Sequence, residues 1–510
     1  MTRNNSIIQL NFFLLAAFFI FPPTFSFASV NEEGVNLFRR SITNILSSSC
    51  LRKNNYGIKI YSLDRGETLY EIRSKKLFIP ASNSKIITTA VALKYLGPNY
   101  RFSTQIYTDG ILENQILKGN LYIKGSGDPK LVTEQLWLLV NGLRNLPLRQ
   151  IKGNIIGDDS FFDKKKRVKT WIENPGAQAY EAPLGSLSFN FNTTKVYVSP
   201  GRKVGDQPKI VIEPENDYIK LENNARTLKP GIRNRLIVNR VNKEDHDLIT
   251  ISGGINLGQP RAQYFLNITK PTEYALNIFK SYVELAGIEF DGKLLKGKLP
   301  ENAVKLYTHE GEPLALALRG LNKFSNNFVA EQILKTIGAE RFGPPGSTKK
   351  GLIVFEEYMK QLGYESGQYK VFDGSGLSRQ NRLSPMILVD ILRNIKNDLS
   401  IYPEFVTALG VMGVDGNVKH RMSKVESSNK ARVKTGTLNF ISALSGFFES
   451  KDGELFAFSI LMNELKCSNG RVKKIQDQII QKGLNFRRVP TGSILKDDKA
   501  KRFQPKPSIP

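Results

Sequence analysis

Pro80-Ala81-Ser82-Asn83-Ser84-Lys85 runs directly into Ile86-Ile87-Thr88-Thr89-Ala90-Val91-Ala92-Leu93, an apolar-rich stretch ended by Gly97-Pro98. Residues three apart share one face of a helix, so the stretch reads as a helix with Ser82 at its N-terminus and the Lys85 amine within reach of the Ser82 hydroxyl. Two further polar signatures follow in fixed order, Ser325-Asn326-Asn327 and Lys434-Thr435-Gly436 with Thr437 behind it. A serine nucleophile, an amine beside it, a second hydroxyl next to a carboxamide and a cationic strand edge are the parts needed to open an amide without histidine or metal.

Each string alone is weak. Ser-x-x-Lys occurs four times, at Ser82, Ser347, Ser427 and Ser493, and only Ser82 opens an apolar helical run. Ser-x-Asn recurs at Ser29, Ser188 and Ser427. Lys-Thr-Gly occurs once, against about 0.1 expected from ordinary residue usage in a chain this long. Order and spacing therefore carry the inference, and they assign Ser82, Lys85, Ser325, Asn327 and Lys434 to catalysis. Thr435, Gly436 and Thr437 are expected on an edge strand, where Gly436 leaves room for an extended peptide to add alongside. The backbone N–H groups of Ser82 and Thr437 are the natural oxyanion donors.

Competing chemistries lack their parts. His246, His309 and His420 are scattered and no Gly-x-Ser-x-Gly surrounds any serine, so a histidine triad is unsupported. Three distant histidines and two cysteines give no metal-ligand spacing, and neither metal nor cofactor is expected. Gly125-Ser126-Gly127-Asp128 is too short for a phosphate cradle and reads as a turn.

The chain has 510 residues, enough for more than one domain. Residues 1–28 carry Arg3, an apolar run from Phe12 to Phe21 broken by Pro22-Pro23, and small residues at Ser26 and Ala28, which is the pattern of an export signal and is too short for a span. Lys and Arg number 73 against 47 Asp and Glu, a net charge of +26. In an exported protein such a charge points to peripheral contact with wall polymers or an anionic membrane surface; nucleic acid is disfavoured by the signal and by the lack of a binding module. The texture divides the remainder into helical and strand-rich segments at 30–99 and 301–486, short β-like runs over 100–200 and 255–300, a charged strand-rich module over 201–254, and a basic tail over 487–510 expected to be disordered.

The sequence resembles the class C low-molecular-mass penicillin-binding proteins, the D-alanyl-D-alanine carboxypeptidase/endopeptidase family. The three motifs carry the likeness together with Gly125-Ser126-Gly127-Asp128-Pro129, Gly157-Asp158-Asp159-Ser160-Phe161-Phe162, Leu187-Ser188-Phe189-Asn190, Asp373-Gly374-Ser375-Gly376-Leu377-Ser378-Arg379, Gly413-Val414-Asp415-Gly416 and Leu438. The gap of 243 residues from Ser82 to Ser325 is the large insertion that this family has and class A β-lactamases lack. The resemblance implies an α+β penicilloyl-serine transferase (β-lactamase/transpeptidase-like) domain: an antiparallel sheet flanked by helices, an all-helical subdomain and a β-rich insertion. It implies cleavage of peptidoglycan stem peptides between two terminal D-alanines through an acyl-Ser82, cleavage of cross-links as a second outlet, and covalent inhibition by β-lactams. Asp158, Phe162, Arg379 and Asn439 are implied as the pocket for the stem peptide's third residue. In that fold Cys50 and Cys467 follow and precede helices on one sheet face, so a disulfide and two free thiols are both open. Two alternatives remain: a β-lactamase or D-amino-acid esterase on the same site, which the lack of Glu-x-x-Leu-Asn between Asn327 and Lys434 disfavours, and a non-catalytic peptidoglycan-binding protein, which the intact motifs disfavour.

Overall fold

The computed structural model describes residues 27–52, 55–171 and 176–488. The expected export signal therefore lies, but for its last two positions, outside the described residues, as do residues 489–510. No described helix is long and apolar enough to cross a membrane.

Six strands make one antiparallel sheet in the order Glu67–Ile72, Tyr56–Ser62, Leu455–Met462, Ile441–Glu449, Ala431–Leu438, Gly410–Val411. Side chains alternate across a strand, and the two faces are sharply different. Leu444, Phe448, Phe456, Phe458 and Ile460 face the terminal helices Phe27–Leu46 and Asn469–Leu484, where they pack with Phe38, Ile42, Val472 and Ile479. Phe448 stacks on Phe456 there with ring centroids 5.1 Å apart. The opposite face carries Ala443, Phe447, Ala457 and Leu461 and packs on a helical subdomain built from Lys85–Tyr95, Leu314–Phe324, Asn327–Phe342, Thr348–Gln361 and Pro385–Lys396. The disulfide that the sequence left open is present between Cys50 and Cys467 and joins the two chain ends on the first face.

The described residues between the Lys85–Tyr95 helix and the Leu314–Phe324 helix form a separate apolar core with five small sheets and two α-helices, Thr133–Arg144 and Pro271–Leu285. Its boundary differs from the sequence expectation. Val304–Pro313 was expected to belong with the catalytic part resuming at 301, yet it is a strand paired along Arg101–Thr108, so the inserted β-structure extends to Pro313. The 201–254 module is also less self-contained than expected, because Lys209–Glu213 pairs with Thr193–Ser199 and Arg226–Leu228 with Gly254–Asn256.

The C-terminal body extends past the expected start of the tail at 487. Arg488 is buried, and its Nε and Nη2 donate to the two carboxylate oxygens of Glu454 at 2.8 and 2.6 Å. Glu454 also accepts from Ser62, and Arg488 pairs with Glu67 at 2.6 Å, so the segment is clamped to the sheet. Removing one member of a buried pair leaves the other charge uncompensated, at a cost of about 3–5 kcal/mol. Arg488→Gln is therefore expected to lower unfolding free energy by that order in urea titrations; an unchanged midpoint would show that the clamp contributes nothing.

Candidate active site

Three segments meet on the small-residue face of the sheet. Ala81–Ser84 forms a 3-10 turn that continues into the Lys85–Tyr95 helix, and Ala81 adopts φ 48° to make the entry. Asn83 ties this turn to the sheet: its Nδ2 donates to Ser445 Oγ at 2.7 Å, and Ser445 donates to Ser459 at 2.9 Å. Ser445 and Ser459 lie on the same face as Ala443 and Ala457, and these small side chains are what lets the turn sit so close. Ser325 ends the Leu314–Phe324 helix in the left-handed region (φ 60°, ψ 38°), and the Asn326 carboxamide oxygen caps the next helix by accepting from Val329 N at 3.1 Å. Asn83 and Asn326 are thus structural, and the polar side chains of Ser82, Ser325 and Asn327 beside them line the cleft.

Lys85 is fully buried. Its Nζ donates to Ser82 Oγ at 3.0 Å, to Asn327 Oδ1 at 2.7 Å and to the Ser375 carbonyl at 2.5 Å. Lys434, also fully buried, donates to Ser325 Oγ at 2.9 Å and to the Thr435 carbonyl at 2.8 Å. Burial pushes the Lys85 amine down to about 7, against smaller opposing pulls from Asp373 and Glu331. Burial, and then the neighbouring Lys85, push Lys434 well below the ordinary lysine range. A desolvated amine touching a serine hydroxyl is a proton acceptor poised near neutrality.

The Lys434 strand was expected at the sheet edge and is instead one strand in, but the outer strand is only Gly410–Val411 and pairs with Val433 and Arg432. From Lys434 to Leu438 the edge is open. A Cβ on Gly436 would stand 2.8 Å from the Pro80 carbonyl oxygen, and one on Gly376 would collide with the Ala81 carbonyl oxygen, so both glycines are required by close approach to the Ser82 turn. The resulting cleft, about 590 Å³, is lined by Ser82, Ser325, Asn327, Thr435 and Thr437, together with Arg379 and Asn439. Arg379 Nη2 donates to the Asn439 carbonyl at 2.9 Å.

Asp158 and Phe162 are elsewhere. Asp158 is buried, its carboxylate accepting from Ser160 N and Leu299 N at 2.8 Å each, and Phe162 is buried beneath the Lys335 ammonium and against Gly127 and Gly346. Neither lines the Ser82 cleft; both pin the insertion's turns.

Sequence reasoning missed four contributors. Trp171 and Tyr180 from the insertion wall the cleft, and the Tyr180 carbonyl accepts from Asn327 Nδ2 at 3.1 Å. Asp373 organises the loop behind Lys85, accepting from Gly376 N, Ser378 N, the Asn381 amide and Trp171 Nε1 at 2.7 to 2.9 Å. Glu331, fully buried, accepts from Ser375 N at 2.7 Å, and burial, then Asp373, raise it to about 8. A carboxylate inside the apolar helical run Phe328–Leu334, four residues after Asn327, was the available signal for Glu331.

Comparisons with known proteins point to one family. The model of the D-Ala-D-Ala carboxypeptidase 3 (S13) family matches residues 38–483. A D-alanyl-D-alanine carboxypeptidase of Actinomadura sp. (strain R39) is 29% identical over 86% of this chain and 83% of its own length. D-alanyl-D-alanine carboxypeptidase DacB of Haemophilus influenzae is 24% identical over 92% of this chain and 95% of its own. The crystal structure of penicillin binding protein 4 (dacB) from Haemophilus influenzae superposes with a TM-score of 0.75 at 22% identity, covering 86% of this chain and 98% of that one, and the penicilloyl-serine transferase fold is shared. With the matched region running from the first sheet-packing helix to the last, the chain belongs to the D-Ala-D-Ala carboxypeptidase 3 (S13) family.

Proposed function

We propose that this protein is an exported serine D-Ala-D-Ala carboxypeptidase that also opens D-Ala cross-links in peptidoglycan. The observation that carries the reading is the Lys85 amine held at 3.0 Å from the Ser82 hydroxyl, beside an open strand edge. A stem peptide lies along Lys434–Leu438 with its terminal carboxylate at Lys434, Thr435 and Thr437. Neutral Lys85 takes the Ser82 proton as Oγ adds to the carbonyl of the penultimate D-alanine, and the oxyanion forms against the backbone N–H groups of Ser82 and Thr437. Collapse breaks the amide, and the proton that Lys85 took passes through the Ser325 hydroxyl, which sits on Lys434, to the departing D-alanine amine, so that Lys85 is neutral again. Water then adds to the acyl carbonyl with its proton passed to Lys85, and Ser82 leaves as the hydroxyl.

Relatives that carry the name D-alanyl-D-alanine carboxypeptidase support the substrate, and a second Haemophilus structure, complexed with a novel β-lactam, supports covalent inhibition of the same site here. Asn327 bridges Lys85 to the insertion and holds the substrate backbone. Arg379 and Asn439 shape the pocket for the residue upstream of the acylated D-alanine.

A fluorescent penicillin is expected to label the wild-type protein and to leave Ser82→Ala unlabelled. Equal labelling of the two would sink the mechanism, and an adduct hydrolysed within seconds would make the site a β-lactamase. Lys85→Gln, which keeps a polar side chain but no base, should slow acylation by about 10²–10⁴-fold.

The pH profile follows from the Lys85 value. Only the neutral amine accepts the proton, so below about pH 7 the acylation constant should fall tenfold per unit as Lys85 protonates, and above it should level off. Stopped-flow acylation from pH 5.5 to 8.5 measures this, and a flat profile would remove Lys85 as the base.

A further inference from the structure

Ser325 and Asn327 line two spaces: the Ser82 cleft, and a second cavity of about 730 Å³ between the insertion and the helical subdomain. Aromatic rings reach this second cavity from both bodies, Phe324 from the end of the Leu314–Phe324 helix and Tyr180, Phe191 and Phe265 from the insertion. Phe324 is 67% exposed, Tyr180 53% and Phe265 50%, and exposed apolar rings gathered at one place mark a surface that something covers. Both lysines of the lining are paired, Lys195 with Glu213 at 2.9 Å and Lys130 with Glu312 at 3.6 Å, so neither is free for an anion. The space suits a stretch of chain with apolar surface, and its volume is far more than one alanine takes.

On the mechanism above, the departing amine takes its proton from the Ser325 hydroxyl, so its nitrogen lies beside Ser325 when the amide breaks. In a terminal D-Ala-D-Ala that amine carries a single alanine, held by its carboxylate, and nothing of it extends past the motif. In a cross-link the same amine belongs to a second stem peptide. The acyl half occupies the direction of Arg379 and Asn439, so the second peptide has to leave on the Ser325 side, where the aromatic cavity begins. We propose that this cavity is the subsite for the departing half of a cross-link, with Phe265 and Phe324 covering the apolar surface of the second stem peptide, so that it promotes cleavage of cross-links without affecting release of a terminal D-alanine. The bond chemistry is the same for both substrates: the Ser82 ester forms, the amide C–N bond breaks, the proton lost by Ser82 ends on the departing amine, and water hydrolyses the ester. The inference rests on the cross-link reading above and adds to it the place where the second peptide binds.

The test compares a synthetic stem pentapeptide ending in D-Ala-D-Ala with a cross-linked dimer of stem peptides that has no terminal D-Ala-D-Ala, reading kcat/KM from D-alanine release and from chromatography of the separated monomers. Phe265→Ala, on an exposed strand position of the insertion, should lower kcat/KM on the dimer about tenfold and leave the pentapeptide rate and penicillin labelling unchanged. Phe324→Ala removes a ring from the opposite wall and should act on the dimer in the same way; because it adjoins Ser325, its penicillin labelling rate shows whether the motif itself has moved. A dimer rate unchanged in both variants, a loss shared equally by the pentapeptide, or a wild type that releases D-alanine and leaves the dimer intact would each overturn the subsite. A wild type with neither D-alanine release nor a penicillin adduct would bring down the carboxypeptidase reading, and the subsite with it.

Discussion

Two lysine amines buried within one cleft are the constraint on which the rest of the site depends. Taking Lys85 and Lys434 out of water disfavours their charged forms, and Lys85 also opposes ionisation of Lys434. The protein does not neutralise them with a carboxylate in direct contact, as a structural ion pair would. Lys85 donates only to a hydroxyl, a carboxamide oxygen and a backbone carbonyl, and Lys434 only to a hydroxyl and a carbonyl. Neutral acceptors solvate an ammonium without fixing it, so the proton can leave. The acidic residues act from behind: Asp373 and Glu331 hold the 373–378 loop whose Ser375 carbonyl is the Lys85 acceptor.

That arrangement requires three chain segments at near-contact distance, and the sequence shows the compensations. Gly376 and Gly436 stand where a methyl would meet a carbonyl oxygen of the Ser82 turn. Ala81 and Ser325 adopt left-handed backbone, which costs a non-glycine residue about 1–2 kcal/mol and is tolerated because the surrounding packing fixes it. Where the turn sits, the sheet presents Ala443, Ser445, Ala457 and Ser459, while Phe448, Phe456 and Phe458 fill the opposite face. Bulk is placed where it stabilises and withheld where the chemistry needs proximity.

The same logic explains what could be read from sequence. Ser82, Lys85, Ser325, Asn327 and Lys434, which converge around one cleft, were legible because the contact with reacting atoms proposed for them restricts residue type and order. Asp158 and Phe162 were misplaced because their segment matches the family for reasons of turn geometry: a carboxylate accepting two backbone N–H groups and a ring under a lysine look like site residues in one dimension. Val304–Pro313 was misjudged because a strand closing a sheet 200 residues upstream leaves no local mark of its partner. Arg488 was read as tail because basic composition conceals a single residue whose partners, Glu454 and Glu67, come from distant strands.

The insertion has its own core and supplies none of the groups assigned to bond breaking, yet the catalytic geometry is not independent of it. Asn327 is shared, with its carbonyl oxygen on Lys85 and its amide on the Tyr180 carbonyl. Trp171 donates to Asp373, the residue that organises the loop behind the same amine. A change in how the inserted β-structure sits against the helical subdomain is therefore felt at both ends of the Lys85 hydrogen-bond set: at the carboxamide in front of it and at the loop behind it. On the proposed mechanism the insertion acts on the chemistry by orienting the groups around the Lys85 amine, which is why a segment without a nucleophile or a base of its own still belongs to the candidate site.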